Sequence, residues 1–184
     1  MSDVEFECRK CGKRISLEAY ERSRYCPDCG TLLQRRRSPK YWVFQFNSST
    51  YTWFDWVRKN REVEQWLTSQ YAREIRQGDK VAIWSSGKDA GVYALGEVAT
   101  NPRKSQLNPE QRLHWTKKAD VSKFQTKCSV IVRYSKVIVD RPLLEAECAV
   151  DTVLSNIGVL RQAQGTNFPL TKDQWNRILE LVNK

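Results

Sequence analysis

Two short cysteine knuckles, Cys8-Arg9-Lys10-Cys11-Gly12 and Cys26-Pro27-Asp28-Cys29-Gly30, constrain this chain more than any other feature. A Cys-x-x-Cys turn aims two sulfurs at one point, and the glycine behind each turn permits the tight backbone that follows. The segment between the knuckles is long enough for a hairpin to bring the pairs together. Four thiolates around one ion form a closed tetrahedral zinc site with no position left for a substrate. Cys8, Cys11, Cys26 and Cys29 are therefore expected to hold a structural zinc ion that folds the start of the chain, without a catalytic role. A disulfide framework would need an oxidising compartment, and the acidic start Met1-Ser2-Asp3-Val4-Glu5-Phe6 does not read as a secretory leader. The matching expectation is a cytoplasmic protein. A thioredoxin-type redox motif would show a single Cys-x-x-Cys beside a βαβ pattern. Cys128 and Cys148 sit in apolar stretches and are expected to be buried small hydrophobes.

Charge sets the next bound. The chain carries 31 Lys and Arg against 21 Asp and Glu, a formal charge of +10. Four thiolates and one zinc ion would change that by −4 and +2, leaving +8. Such an excess favours a polyanionic partner, and nucleic acid is the commonest. No run of about eighteen apolar residues is present, so no membrane span is expected. The seven tryptophans are many for this length. Some belong in a core, but tryptophan beside basic residues is also how proteins stack on bases.

Three stretches divide the chain: a zinc ribbon over 1–36, a basic linker over 37–40 and a larger domain over 41–184. The run Arg35-Arg36-Arg37-Ser38-Pro39-Lys40 at the junction either touches phosphate or is a solvated hinge. Beyond it, Tyr41–Phe46 is a dense aromatic and β-branched strand. Trp53–Lys59 reads as a short helix, with Trp53, Trp56 and Val57 at helical spacing. A turn at Gln77-Gly78-Asp79 leads to strands over Lys80–Trp84 and Gly91–Val98, joined as a hairpin. The polar stretch 100–127 is poorly periodic, with a short helix near Asn108–Trp115, where Asn108 caps and Pro109 starts it. It carries four candidate phosphate contacts, Arg103, Lys104, Lys117 and Lys118. Cys128–Val139 is a long alternating strand. Thr171 and Gln174 form a capping box for the last helix, with Leu170 and Trp175 as its hydrophobic staple. Its stripe of Trp175, Ile178, Leu179 and Val182 faces the core. The whole is an α+β fold, and a small, strongly bent sheet or barrel is the simplest architecture that closes over so few strands.

Several strings in the larger domain resemble the EVE domain family. They are Tyr41-Trp42-Val43-Phe44 with Tyr51-Thr52-Trp53, the Trp66 segment with Tyr71-Ala72-Arg73, Lys80 to Gly87 with Ala90 to Val98, and Gln164 to Thr171. The resemblance covers residues 40 to 184. It implies a PUA-like barrel with flanking helices, related in shape to YTH domains, and recognition of a modified base. For EVE-type domains the implied ligand is methylated or hydroxymethylated cytosine in DNA; for YTH relatives it is methylated adenosine in RNA. By motif position, the candidate pocket residues are Asn47, Ser48, Trp66, Trp84, Gln164 and Phe168. The turn after the first strand lacks the Ser-Glu-Pro of many relatives, and Leu67-Thr68-Ser69-Gln70 follows Trp66 where they carry Asp-Gly-Val-Arg-Asn. Each candidate has a plainer alternative: the aromatic residues as core, and Asn47 and Gln164 as turn residues that satisfy the backbone.

The physics is compatible with a reader. A duplex base must leave the stack to be inspected on all sides, and an extruded base needs aromatic faces and a few polar groups. The expected function is therefore a non-enzymatic nucleic-acid-binding protein that reads a modified base, DNA before RNA. It fits a restriction or defence setting in which an effector nuclease, or another protein docked on the ribbon, would do any cutting. An RNA-binding module and a zinc-ribbon protein adaptor are the alternatives. Catalysis is not expected: His114-Trp115-Thr116 does not supply the His-x-Glu of a deaminase, and no P-loop is present.

Overall fold

The computed structural model describes residues 6–8, 10–33, 37–59, 62–69, 71–162 and 164–184. Contacts divide the chain into two units, Met1–Ser38 and Pro39–Lys184.

In the small unit, strands β1 (Phe6–Glu7) and β2 (Arg14–Ile15) pair antiparallel around the first knuckle. A single bridge between Tyr25 and Leu32 flanks the second. Between them lies helix α1 (Leu17–Arg22), started by Ser16, whose Oγ accepts the Ala19 N–H at 3.3 Å. The connector is therefore not the one hairpin expected. Each knuckle forms the turn of its own hairpin, because Ser16 offers a helix cap in the middle of the connector. The core consists of Phe6, Cys8, Ile15, Cys26 and Leu33, with the Phe6 ring stacked on Tyr20 at 4.0 Å. So few apolar side chains cannot offset the ordering entropy of the segment without a staple.

The large unit runs β3 (Tyr41–Asn47), α2 (Trp53–Lys59), β4 (Val63–Thr68), β5 (Lys80–Ser86) and β6 (Gly91–Val98). It continues with α3 (Pro109–Arg112), α4 (Lys118–Thr126), β7 (Cys128–Val137), β8 (Leu143–Leu144) and α5 (Glu145–Val150). It ends with α6 (Gly158–Arg161), β9 (Asn167–Leu170) and α7 (Lys172–Val182). The sheet order is β4-β7-β6-β5-β3-β9, with β8 on β6. Strands β3 and β5 are parallel, from Tyr41 opposite Lys80 to Asn47 opposite Ser86, and the other pairs are antiparallel.

Alternation along β3 sorts the core into two layers, since successive strand side chains point to opposite faces. Trp42, Phe44 and Phe46 face inward with Trp53, Trp66, Ile83, Val132 and Tyr134. Val43 faces outward with Trp84, Leu95, Phe168, Trp175 and Ile178, from β5, β6, β9 and α7. The inner layer is covered by α2, through buried Trp53, Trp56 and Val57. The sheet curls until its two edge strands approach each other. Buried Asn167 on β9 fastens the seam: its Oδ1 accepts the Ser69 N–H at 2.9 Å and its Nδ2 donates to Leu67 O at 3.0 Å. The result is the expected bent barrel with flanking helices, a half-barrel drawn shut by one amide.

Several elements were not anticipated. Helix α4 lies in the stretch 100–127, anchored by buried Phe124 against Leu67 and Leu107. Strands β4 and β9 and helices α5 and α6 are also new. All four are too short for a period to show, and β4 and β9 pair with strands distant in sequence. Cys148 is buried as expected, whereas Cys128 is half-exposed.

Candidate metal centre and nucleic-acid interface

The four cysteine sulfurs of the small unit lie within 4.8 Å of one another. Cys8 and Cys29 Sγ are 3.5 Å apart, as are Cys11 and Cys26 Sγ. A tetrahedron with metal–sulfur bonds of about 2.3 Å places its sulfurs about 3.8 Å apart, so the set fits one ion. Each knuckle is closed by the same backbone pair. Gly12 N–H donates to Cys8 O and Gly30 N–H to Cys26 O, both at 2.8 Å. Both glycines take positive φ, +74° and +66°, which a side chain would resist. Thr31, its hydroxyl 3.3 Å from the sulfur, holds the Cys29 thiol down to about 6. Cys8, Cys11, Cys26 and Cys29 are thus able to hold a metal ion.

In the large unit, the expected pocket residues do not converge. Trp66 sits in the inner layer, its Nε1 donating to the Tyr134 hydroxyl at 3.1 Å. Trp84 and Phe168 sit in the outer layer. The sheet lies between Trp66 and Trp84, so the two rings cannot sandwich one base. The reason is parity: Trp84 follows inward-facing Ile83 on β5 and so points outward. The Phe168 ring packs beneath Gly165, where a Cβ would lie 2.5 Å from its Cζ. Gln164 is exposed above it.

Asn47 and Ser48 form a rim at the end of β3. Asn47 Oδ1 accepts from Ser49 N–H at 2.8 Å and from Ser49 Oγ at 2.6 Å. Its Nδ2 has no partner among the described residues. Ser48 lies against the β5–β6 loop, where a Cβ on Gly87 would be 3.8 Å from its Oγ. Beside this rim the aromatic interior surfaces at Phe54, which is half-buried. Its ring meets Phe46, Trp53 and Tyr93 at centroid distances of 6.0, 5.4 and 5.0 Å. Tyr93 Oη donates to Asp89 O at 2.6 Å, tying the loop to the interior. Phe54 and Tyr93 were missed from the sequence. Phe54 had only the signal of an aromatic residue off the helical stripe of Trp53, Trp56 and Val57.

The chain folds the long polar stretch back onto the rim. Thr52 N–H donates to His114 O at 2.9 Å, and Thr116 N–H to Thr50 O at 3.0 Å. This brings Lys117 and Lys118, both exposed, beside the Asn47–Thr52 turn. Arg103 and Lys104, also exposed, lie elsewhere: Arg103 pairs through its backbone with Ser129 on β7. None of these four makes an ion pair among the described residues. Arg37 is exposed, while Arg35 and Arg36 lie outside the described residues.

Behind the rim is a buried carboxylate. Glu64 Oε1 accepts from the Tyr51 hydroxyl at 2.6 Å and from Gln111 Nε2 at 3.3 Å. Its Oε2 accepts from Trp53 Nε1 at 2.9 Å and from the Tyr134 hydroxyl. No Lys or Arg pairs with it among the described residues. Burial pushes Glu64 up to about 7, against the pull of the tyrosine hydroxyls and indole N–H groups. Burial and the Glu64 charge hold both tyrosines well above the ordinary range, so they remain donors. The network fixes Trp53, and through it α2, against the barrel.

A family model described as EVE domain matches residues 40–181. No curated protein matches the chain. Among solved structures, a hypothetical protein from Leishmania major superposes with a TM-score of 0.61 at 20% identity, covering 79% of this chain and 96% of that one. Human THYN1, solved in complex with 5-methylcytosine-containing DNA, superposes with a TM-score of 0.57 at 16% identity, covering 79% and 98%. Rpa0253 from Rhodopseudomonas palustris gives 0.57 at 15% identity, covering 78% and 93%. At these identities the likeness is one of fold.

Proposed function

Because this chain belongs to the EVE domain family, we propose that it is a nucleic-acid-binding protein that reads a modified base, 5-methylcytosine or its hydroxymethylated form in DNA. The observation that carries the proposal is the family match, together with a solved protein of this fold holding DNA with 5-methylcytosine. The geometry around Phe54 supports it. The base leaves the duplex and stacks on Phe54 and the aromatic edge behind it, in place of the Trp66–Trp84 pair. Asn47 Nδ2 and Ser48 Oγ supply polar groups for the base edge, and Lys117 and Lys118 hold the flanking phosphates. Stacking on one ring contributes about 1–3 kcal/mol. Burying the methyl adds about 0.8 kcal/mol, a preference of roughly fourfold over plain cytosine. The four cysteines hold a structural zinc ion, which supplies folding energy and no chemistry. The protein is a reader, and any cleavage belongs to an effector partner.

Fluorescence anisotropy with matched duplexes tests the proposal. Oligonucleotides carrying cytosine, 5-methylcytosine or 5-hydroxymethylcytosine, and an RNA of the same sequence, are titrated at one salt concentration. A modified DNA binds tightest. Tighter binding of RNA with no preference among the DNAs would make the chain an RNA-binding module instead.

A further inference from the structure

We infer that the Asp89 carboxylate accepts the 4-amino group of the base held at Phe54, and so separates 5-methylcytosine from thymine. The inference rests on the reader proposal and adds the group that selects the base.

Stacking on Phe54 and burial of a methyl cannot make that selection, because thymine carries the same 5-methyl group. The two bases differ at position 4, an amino donor in cytosine and a carbonyl acceptor in thymine. A cytosine site therefore needs a group that only accepts. The rim itself offers none. Asn47 Oδ1 is taken by Ser49, which leaves that amide its Nδ2 donors. The hydroxyls of Ser48, Ser49 and Thr50 both donate and accept. An ionised carboxylate accepts only, and it matches the cytosine amino group.

Asp89 is the carboxylate that the fold brings there. It sits in the β5–β6 loop, whose Gly87 approaches Ser48. Among the described residues it is the one non-glycine at positive φ, +57°. Tyr93 anchors it: the Tyr93 hydroxyl donates to Asp89 O at 2.6 Å, and the Tyr93 ring lies 5.0 Å from that of Phe54. Burial, and after it the Asp89 charge, hold the Tyr93 hydroxyl above its ordinary value, which puts the carboxylate near the inner aromatic edge. Asp89 is exposed. Neither Lys88 beside it nor any other cation pairs with it among the described residues, and no donor there reaches its carboxylate. The neighbouring carboxylates are placed otherwise. Asp55, next to Phe54 in sequence, pairs with Arg58 at 3.6 Å. Glu145 shares with Asp89 a hollow on the α5 side of the loop, which no aromatic ring lines.

The test uses duplexes that place cytosine, 5-methylcytosine, 5-hydroxymethylcytosine or thymine opposite an abasic site, so that pairing favours none of them. Affinities are read by anisotropy for the full chain, Asp89→Asn and Glu145→Gln. The parent is expected to bind 5-methylcytosine about tenfold tighter than thymine, the effect of one hydrogen bond to a charged group. Asn tolerates positive φ, and its amide can turn to meet either base, so Asp89→Asn is expected to bring that ratio to about one. It weakens cytosine and 5-methylcytosine by one factor, and the ratio between those two stays as in the parent. Glu145→Gln changes neither ratio. A parent that prefers 5-methylcytosine to cytosine but not to thymine, or an Asp89→Asn that keeps the thymine ratio, would overturn the role of Asp89 and leave the reader in place. Loss of the thymine ratio in Glu145→Gln as well would make it an effect of local charge and also overturn that role. A parent with no preference for either modified cytosine over cytosine would remove the reader proposal and this inference with it.

Discussion

The two units of this protein solve the same problem by opposite means. The small unit orders a short chain around a core of five residues, two of them cysteines that are also candidate metal ligands. The large unit buries two aromatic and aliphatic layers and needs no ion to close, because Asn167 joins the edges of its sheet. Charge divides unevenly as well. Residues 1–38 hold nine basic and six acidic residues, whereas 39–184 hold twenty-two and fifteen, so +7 of the +10 lies in the large unit. With four thiolates and a zinc ion the small unit falls to +1. Most of the chain's net positive charge therefore lies in the large unit.

The largest test of this contrast is metal removal. Chelation, or Cys26→Ser, is expected to unfold the small unit outright, since structural zinc contributes about 10–16 kcal/mol to folding such modules. The melting transition of the large unit is expected to persist. Two-dimensional NMR before and after chelation reads both units at once, and collapse of both sets of resonances would show that the units do not fold separately.

Asn167→Ala attacks the large unit at its seam. It leaves the Leu67 carbonyl and the Ser69 N–H without partners, and each such orphan costs about 1–3 kcal/mol. A loss of about 4 kcal/mol in denaturant unfolding is expected. A loss under about 1 kcal/mol would mean that water replaces the amide and the seam is not a closure.

Glu64 gives the large unit a pH dependence of its own. Its folded value, about 7, lies above the ordinary 4.5, so between those values the native state binds more protons than the unfolded one. The contribution is therefore full below the ordinary value and is lost as pH rises through about 7, by roughly 3 kcal/mol in all. Glu64→Gln is expected to flatten that part of the stability profile between pH 5 and pH 8. An identical profile in parent and variant would show that Glu64 does not titrate there.

How far the sequence revealed each unit follows the same division. The four-cysteine cluster was legible because two Cys-x-x-Cys turns bring their sulfurs together whatever the rest of the chain does. Strands β3, β5 and β6 and helices α2 and α7 were legible because each carries its own period or cap within a few residues. Strands β4 and β9 were not, since β4 owes its burial to pairing with β7 and β9 to pairing with β3. The candidate site was legible only in part. Motif position points to Asn47 and Ser48, which lie together at the end of β3, but it also puts Trp66 and Trp84 in one pocket, and the sheet separates them. Sequence shows that a residue is aromatic; which layer it enters depends on strand parity and, for Tyr93, on the bulge that leaves it unpaired between Val92 and Ala94. Phe54 went unnoticed because its exposure is set by residues from β3, α2 and β6 together.

The central claim is that the edge of the inner aromatic layer at Phe54, and not the outer layer at Trp84, receives the base. The ratio of affinities for 5-methylcytosine and cytosine duplexes, measured for the parent, Phe54→Ala and Trp84→Phe, tests it most directly. Loss of the ratio in Phe54→Ala, with salt-dependent background binding retained and the ratio unchanged in Trp84→Phe, is the predicted result. A ratio that survives in Phe54→Ala and vanishes in a folded Trp84→Phe would contradict it.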